Sequence, residues 1–289
     1  MNLLLYEKIT QKKEFSKIPR KDVELAIEKF ENKNLNDWQK MKMTRQFLRK
    51  IYSGFSSRKV FSTKGKSAEW YLMKHKSSRE RFEHYSEIYE RIFPKKGKFS
   101  VVDLGCGING LSFLVPFSNS CPTRNPTRFE YDKFLSRNCS PTPENLIVNG
   151  KSFQDRIINY LGIEAIGQFV DLMNEFFKKN KKNWKAEHLS LFELEKIKEK
   201  IKEQKKPRVI LLFKVVDSLE VVKRDYSKEL LKEIMPFGEK IVVSFATRSL
   251  GARKKFSAKR NWLLKFINDN FKIEDDFEIA GERYLVFRK

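Results

Sequence analysis

The stretch that decides the fold is Ser100-Val101-Val102-Asp103-Leu104-Gly105-Cys106-Gly107-Ile108-Asn109-Gly110. Its first half is an apolar run typical of a buried strand, and glycines follow where that strand ends. Glycine has no side chain, so the backbone there can approach a ligand closely. In open α/β sheets, ligands bind beyond the carboxyl ends of the strands. The stretch therefore predicts a binding loop, and the alternative is a plain glycine turn between a strand and a helix.

The spacing of the glycines narrows the kind of ligand. Asp-x-Gly-x-Gly differs from the Gly-x-Gly-x-x-Gly of dinucleotide-binding loops, and no Gly-Lys-Ser/Thr of a P-loop follows. The pattern resembles motif I of class I methyltransferases, which implies S-adenosylmethionine as the cofactor. In that family the next strand ends in an acid that accepts hydrogen bonds from the ribose hydroxyls, and residues 160–164 end in Glu164. Glu164 also suits the start of a helix, where the dipole favours an acid, and both roles can hold.

Around this stretch, apolar runs alternate with amphipathic segments, which predicts a mostly parallel sheet covered by helices. The predicted strands are IINYLGIEA (157–165), PRVILLFKVV (207–216) and EKIVVSFATRS (239–249), and the predicted helices between them are IGQFVDLMNEFFKK (166–179) and LFELEKIKEKIKEQ (191–204). The ending EDDFEIAGERYLVFRK (274–289) predicts an antiparallel hairpin that turns at Ala280-Gly281. We therefore predict an α/β fold, a Rossmann-like class I methyltransferase domain with a C-terminal antiparallel hairpin.

Residues 1–94 are predicted to form a helical, basic domain that precedes the methyltransferase domain at 95–289. Apolar residues recur at helical spacing in KDVELAIEKFENK (21–33), MTRQFLRKIYSGF (43–55) and SSRERFEHYSEIYERIF (77–93). Ser77 or Ser78 is the expected N-cap of the last of these helices. A proline-rich stretch near 116–150 is predicted to be an insertion. Its Cys121 and Cys139 are expected to be free thiols rather than a disulfide or metal ligands, and no metal site is predicted.

Charge is the strongest signal in the composition. The chain has 60 Lys and Arg against 37 Asp and Glu, a net charge of +23, and residues 38–68 and 240–268 contain no acid at all. Such stretches attract a polyanion and release its counterions. One alternative is that the charge reflects a lysine-rich proteome and no specific partner. Another is that the protein binds an anionic membrane, which fits less well because the basic stretches lack a separate apolar face. Three cysteines, no apolar run of membrane-spanning length and no secretion signal favour a cytoplasmic protein.

Four segments in order make the resemblance more specific. HKSSRER (75–81), DLGCGINGL (103–111), LLFKVVDSLE (211–220) and SFATRSLGAR (244–253) together resemble the 16S ribosomal RNA guanine-N7 methyltransferases of the aminoglycoside-resistance type. The resemblance covers about residues 66–289 apart from the insertion, and its first and last segments are its most specific parts. It implies methylation of a guanine in the decoding region by a cytoplasmic monomer whose helical N-terminal domain docks on the small ribosomal subunit.

The resemblance also implies roles for individual residues. The cofactor-binding residues that it implies are His75, Lys76, Ser77, Arg81, Asp103, Gly105, Gly107, Glu164, Ser190, Leu191, Lys214 and Val215. Among these, Arg81 is expected to pair with the methionine carboxylate of the cofactor, and the alternative is an ion pair on a solvated helix face. The residues expected near the RNA or the target base are Phe213, Arg248, Ser249 and Arg253. Phe213 and Phe245 are aromatic candidates for stacking, although core positions suit both.

The chain departs from the family pattern at two strand ends. The family carries an acid after the third strand that reads the adenine amino group, whereas Ser190 and Leu191 stand at that place here. Asp217 replaces the proline of the fourth-strand motif. These differences leave the exact target nucleotide open.

The chemistry expected of this chain is mainly positioning. N7 of guanine has a free lone pair, so methyl transfer needs alignment and charge stabilisation more than proton removal. No catalytic side chain is therefore assigned, and the base is expected to be extruded from its stack. One alternative is methylation of another RNA position such as a ribose 2′-hydroxyl, with Lys214 and Asp217 removing the proton. Another is a non-catalytic ribosome-assembly factor with a vestigial cofactor pocket.

Overall fold

The structure is a computed structural model that describes residues 3–52, 60, 63–116, 153–247 and 260–289. The predicted insertion at 116–150 lies outside the described residues except for its first position, and so do both of its cysteines. Arg248, Ser249 and Arg253 also lie outside them.

The N-terminal helices form a small core of their own. They are α1 (Leu3–Thr10), α2 (Arg20–Glu31) and α3 (Asp37–Tyr52). In α2, Val23, Ala26, Ile27 and Phe30 are buried, as their spacing predicts. The apolar side chains that hold these helices together are Leu5, Ile9, Phe15, Ile18, Val23, Ala26, Ile27 and Leu48.

The next helical segment packs against the sheet instead. It comprises α4 (Ala68–Lys74), α5 (Lys76–Arg81), a 3₁₀ turn (Phe82–His84) and α6 (Tyr85–Ile92). Tyr71, Tyr85 and Ile88 lie in the same hydrophobic core as the first strand. The predicted boundary between residues 94 and 95 stays a prediction.

The expectation that Ser77 or Ser78 caps this segment is wrong. His75 is the N-cap of α5, and its Nδ1 accepts a hydrogen bond from the Ser78 backbone N–H at 3.4 Å. Helix α4 ends at Lys74, and His75 is extended, so its ring can turn back toward the first turn of the new helix. Ser77 and Ser78 are then buried inside α5.

Seven strands form one sheet. The strands are β1 (Phe99–Leu104), β2 (Ile157–Glu164), β3 (Lys185–His188), β4 (Arg208–Phe213), β5 (Lys240–Ala246), β6 (Lys272–Ile279) and β7 (Glu282–Arg288). The helices between and after them are α7 (Gly167–Lys179), α8 (Leu194–Lys202), α9 (Val216–Val222), α10 (Tyr226–Ile234) and α11 (Asn261–Asn270). The strand order is β3-β2-β1-β4-β5-β7-β6.

The pairing of the strands confirms the predicted α/β class. Strands β1 to β5 pair in parallel, and β7 joins β5 and β6 antiparallel. The hairpin turns at Ala280 and Gly281, as predicted, and both have positive φ, 53° and 77°. Paired positive φ values suit the right-handed twist of a two-residue hairpin.

Strand β1 is buried on both faces, which explains its continuous apolar sequence. Val101 packs into the core on one side of the sheet and Val102 into the core on the other, since successive side chains of a strand point to opposite faces. The sheet thus holds the loop after β1 between two packed layers. No helix in the described part of the chain is both long and apolar enough to cross a membrane.

Candidate cofactor cleft

A cleft opens at the carboxyl ends of β1, β2 and β4, where the strand order reverses between β1 and β4. Ligands of open α/β sheets bind at this kind of switch point. The cleft holds about 830 Å³ of open space, part of it continuous with solvent. Its lining comes from the strand ends and the loops that follow them, from α5, α7 and α9, and from the N-terminal helices α2 and α3.

The glycine loop forms the floor of the cleft. Gly105 and Gly107 have positive φ, 69° and 56°. A Cβ on Gly105 would lie 2.5 Å from Val215 Cγ2, and a Cβ on Gly107 would lie 2.9 Å from His75 Cε1. Backbone conformation and space therefore both require glycine at these two positions.

Asp103 stabilises the glycine loop from inside the core and does not line the cleft. It is fully buried, and its Oδ2 accepts hydrogen bonds from Asn109 Nδ2 at 2.8 Å and from the Tyr160 hydroxyl at 3.2 Å. Burial raises the pKa of its carboxyl to about 6, although the Asn109 hydrogen bond opposes the shift. The conformation of the loop thus depends on a carboxyl group inside the core.

Glu164 joins the end of β2 to the glycine loop. Its Oε2 accepts a hydrogen bond from the Gly107 N–H at 2.7 Å, and its Oε1 accepts one from the Ile166 N–H at 2.9 Å, just before α7. Glu164 therefore contacts both the loop after β1 and the start of α7, and its role toward a ribose stays a prediction. Burial raises the pKa of Glu164 to about 7 against the effect of these two N–H donors.

A buried ion cluster closes the other end of the cleft. Nε of Arg81 lies 3.0 Å from Glu282 Oε2, and Nζ of Lys214 lies 3.0 Å from the same oxygen and 2.7 Å from Glu80 Oε2. Ser77 Oγ accepts a hydrogen bond from Arg81 Nη2 at 2.9 Å. The solvated ion pair considered for Arg81 is wrong, because this side chain is only 3% exposed and its partner comes from the C-terminal hairpin.

Glu282 keeps its charge inside the cluster although it is buried. Burial alone would raise the pKa of Glu282, but the positive charges of Arg81 and Lys214 bring it below its ordinary value. Arg81 also lies 4.9 Å above the ring of Phe213. Arg81 and Lys214 therefore line this part of the cleft, with their charges balanced by Glu282 and Glu80.

His75 lies between the loop and the ion cluster in its neutral form. Burial, together with the charges of Arg81 and Lys214, lowers the pKa of its ring to about 3. Its Nδ1 lies 2.9 Å from the Ser78 hydroxyl. His75 therefore serves as a neutral wall of the cleft at physiological pH.

Most residues predicted for the cofactor meet at this cleft. Those that line it are His75, Ser77, Arg81, Gly105, Gly107, Glu164, Leu191, Lys214 and Val215. Lys76, Asp103 and Ser190 are not part of the lining. Phe245 is 2% exposed in the core, whereas Phe213 is buried but reaches the cleft.

The residues that α2 and α3 contribute to the cleft have no signature in the sequence. Asp22, Ile51 and Tyr52 line the cleft together with the loop. The Tyr52 hydroxyl donates a hydrogen bond to Asp22 Oδ1, which ties α3 to α2. Burial raises the pKa of the Asp22 carboxyl, and the neighbouring Ser190 and Tyr52 hydroxyls partly oppose that shift. Asp22 has no unusual sequence context, because an acid in the first turn of a helix is common.

Solved structures with the same fold cover nearly the whole chain. The 16S rRNA methyltransferase RmtF, in complex with S-adenosyl-L-homocysteine, matches with a TM-score of 0.71 and 19% identity over 99% of this chain and 97% of that chain. The 16S rRNA methylase RmtB (TM-score 0.66, 16% identity) and an rRNA methylase from Escherichia coli (0.67, 17%) each match over 99% of this chain, and over 97% and 98% of their own chains. No protein-family model and no curated protein sequence matches. These likenesses confirm the predicted fold, including the N-terminal helices.

Proposed function

We propose that this protein is an S-adenosylmethionine-dependent methyltransferase that acts on small-subunit ribosomal RNA. The observation that carries the proposal is the hydrogen bond from the Gly107 N–H to Glu164, in a cleft that Arg81 and Lys214 also line. The shared fold supports it, because the likeness to rRNA methylases extends through the N-terminal helices and not only through the sheet.

The residues of the cleft fit this cofactor. Arg81 and Ser77 would hold its carboxylate, Glu164 its ribose hydroxyls, and Leu191 and Val215 would cover apolar surface beside the loop. Gly105 and Gly107 let the loop lie directly against Val215 and His75, because a Cβ at either position would come within 3 Å of those side chains. When bound, the cofactor supplies an electrophilic methyl group on a sulfonium. The residues of the chain orient it, and the neutral His75 places no extra positive charge beside it.

We further propose N7 of a guanine in the decoding region as the target atom. Transfer to N7 needs no proton acceptor. The two side chains considered for proton removal from a ribose hydroxyl are both engaged: Lys214 is in two salt bridges, and Asp217 binds Arg260 through both oxygens at 2.7 and 2.6 Å. Phe213, Arg248, Ser249 and Arg253 remain proposed contacts for the RNA or the target base.

The proposed substrate is the RNA of the small ribosomal subunit, bound through the basic N-terminal region. Helix α3 begins with Asp37 and carries Lys40, Lys42, Arg45, Arg49 and Lys50 with no further acid. Such a run of cations suits a phosphate backbone. We propose that residues 1–94 form the docking domain and 95–289 the methyltransferase domain of a cytoplasmic monomer.

The test of this function is methyl transfer from radiolabelled S-adenosylmethionine to purified 30S subunits and to naked 16S rRNA. We expect label in the 16S rRNA. Borohydride reduction followed by aniline should cleave the chain at the modified position, because N7-methylguanine is labile to this treatment. An alkali-resistant dinucleotide would instead identify ribose methylation.

The non-catalytic alternative is tested by calorimetry with S-adenosylhomocysteine. Saturable binding of one equivalent is expected. If neither S-adenosylmethionine nor S-adenosylhomocysteine binds at any pH between 6 and 9, the proposed function is wrong and a scaffold role replaces it.

The raised pKa of Glu164 predicts a pH dependence of cofactor affinity. The ionised carboxylate is the better acceptor for ribose hydroxyls, and it becomes protonated as the pH falls through about 7. Affinity for S-adenosylhomocysteine should therefore fall from pH 8 to pH 6, by up to roughly tenfold, since about a tenth of the groups stay ionised one unit below the pKa. Calorimetry should find a flatter profile in Glu164→Gln. An equally steep profile in that variant would assign the dependence to another group.

A further inference from the structure

Among the described residues, one side-chain oxygen that lines the cleft lacks a hydrogen-bond partner. Asp22 is 4% exposed, and its Oδ2 has no hydrogen bond with any described residue, although Tyr52 donates to Oδ1. A buried acceptor without a donor costs free energy, so it suggests a ligand group that completes the pairing. The Ser190 hydroxyl lies close enough to the same carboxyl to lower its pKa, but it forms no hydrogen bond with Oδ2.

The position of Asp22 along the cleft indicates which ligand group it faces. The sheet order sets the sequence of the strand ends as β3, β2, β1 and β4. Arg81 contacts Phe213 at the end of β4, Glu164 ends β2, and Asp22 lies beside Ser190, which follows β3. Asp22 and the Arg81 cluster therefore lie on opposite sides of Glu164.

Given this order, the part of the proposed cofactor that would face Asp22 is the adenine. With the carboxylate at Arg81 and the ribose at Glu164, the adenine extends toward the end of β3. The exocyclic amine is the only hydrogen-bond donor of that base, and a carboxylate oxygen is an acceptor. Leu191 and Phe192 provide apolar surface next to it.

We infer that Asp22, on a helix of the N-terminal region, is a specificity-determining residue that accepts a hydrogen bond from the adenine amino group of the cofactor. The inference rests on the proposed function. It places one wall of the cofactor site in the N-terminal helices, so that the segment proposed to dock on RNA also completes the binding pocket.

The contacts around α2 are suited to hold Asp22 in place. The Lys17 carbonyl, just before α2, accepts a hydrogen bond from the Gly167 N–H at 2.9 Å, at the start of α7. A Cβ on Gly167 would lie 2.9 Å from Lys17 Cβ, which shows how closely the two segments pack. The Lys17 ammonium also pairs with Asp171 of α7. These contacts join the N-terminal helices to the segment that follows Glu164.

The test compares S-adenosylhomocysteine with its analogue that carries hydrogen in place of the 6-amino group. By calorimetry, the wild-type protein should bind the parent compound roughly 10- to 100-fold more tightly, the effect expected for a hydrogen bond to a charged group. Asp22→Ala should bind both compounds with similar affinity. Equal binding of the two compounds by the wild-type protein would overturn the inference.

Matched variants separate direct contact from support of the fold. Tyr52→Phe removes the hydrogen bond to Asp22 but leaves the carboxylate, so it should keep most of the preference for the amino compound. Glu28→Ala, exposed on the same helix, should bind as the wild type does. Asp22→Asn keeps the volume if Asp22→Ala does not fold, and its preference should be reduced. An unchanged preference in a folded Asp22 variant contradicts the inference, whereas absence of all binding in the wild type contradicts the proposed function.

Discussion

Replacing Glu282 by glutamine should lower the free energy of unfolding by about 3 to 5 kcal/mol, the usual cost of removing one partner from a buried ion pair. Glu282 is 2% exposed and contacts both Arg81 and Lys214. Without the charge of Glu282, the guanidinium of Arg81 would remain buried with no carboxylate beside it. Lys214 would keep Glu80 as its one carboxylate partner among the described residues. Urea denaturation at pH 7.5 measures the loss.

A control exists on the same hairpin. Arg283 and Asp276 form an ion pair in which the two side chains are 33% and 34% exposed. Asp276→Asn should lower stability by at most about 1 kcal/mol, because water screens exposed pairs. Equal effects of the two substitutions would mean that the buried cluster contributes no more than a surface pair.

The effect of Glu282→Gln should also depend on pH. The pKa of Glu282 in the folded protein lies below its ordinary value of 4.5. Its ionisation therefore stabilises the fold above that value, and the contribution is lost as the pH falls through the folded-state pKa. The difference between wild type and variant should narrow below about pH 4.5.

Features that depend on residues close together in the sequence were predictable from it. The glycine loop, the acid at the end of β2 and the turn at Ala280-Gly281 each follow from a local pattern, namely a strand period, a strand end or a backbone that needs positive φ. The helix break at His75 was missed, because two serines next to it are stronger N-cap candidates by residue type.

The contributions of Asp22 and Glu282 were not predictable, because they arise from packing between distant parts of the chain. Glu282 pairs with a residue 201 positions away, and Asp22 reaches the cleft only because the N-terminal helices pack over α7. In sequence both are ordinary acids, one in a helix and one in a hairpin. A pattern read along the chain carries no information on such contacts.

The second large effect is expected at the glycine loop. Gly105→Ala should lower the free energy of unfolding by about 2 to 5 kcal/mol: roughly 1 to 2 for an L side chain in the left-handed region and roughly 1 to 3 for overpacking. The new methyl group would lie 2.5 Å from Val215 Cγ2. The loop must shift to relieve that contact, and affinity for S-adenosylhomocysteine should fall by at least roughly tenfold, the equivalent of about 1.4 kcal/mol.

Gly97→Ala separates the two causes of that loss. Gly97 also has positive φ, 78°, but nothing lies within 4 Å of a Cβ built there. Gly97→Ala therefore introduces the backbone strain without the clash, and Gly97 does not line the cleft. It should lose about 1 to 2 kcal/mol and keep its affinity for S-adenosylhomocysteine.

The clash itself can be tested with a double-mutant cycle. Val215→Ala removes Cγ2, which would lie 2.5 Å from a Cβ at residue 105, and keeps Cβ at 3.1 Å. Gly105→Ala should therefore cost less in the Val215→Ala background than in the wild type. The coupling between the two sites, measured by urea denaturation of all four proteins, should be about 1 to 3 kcal/mol in favour of the double variant. Purely additive changes in the free energy of unfolding would show that Val215 moves aside at no cost. A Gly105→Ala variant that behaves as Gly97→Ala does would show the same. The need for glycine at residue 105 would then lie in its backbone conformation alone.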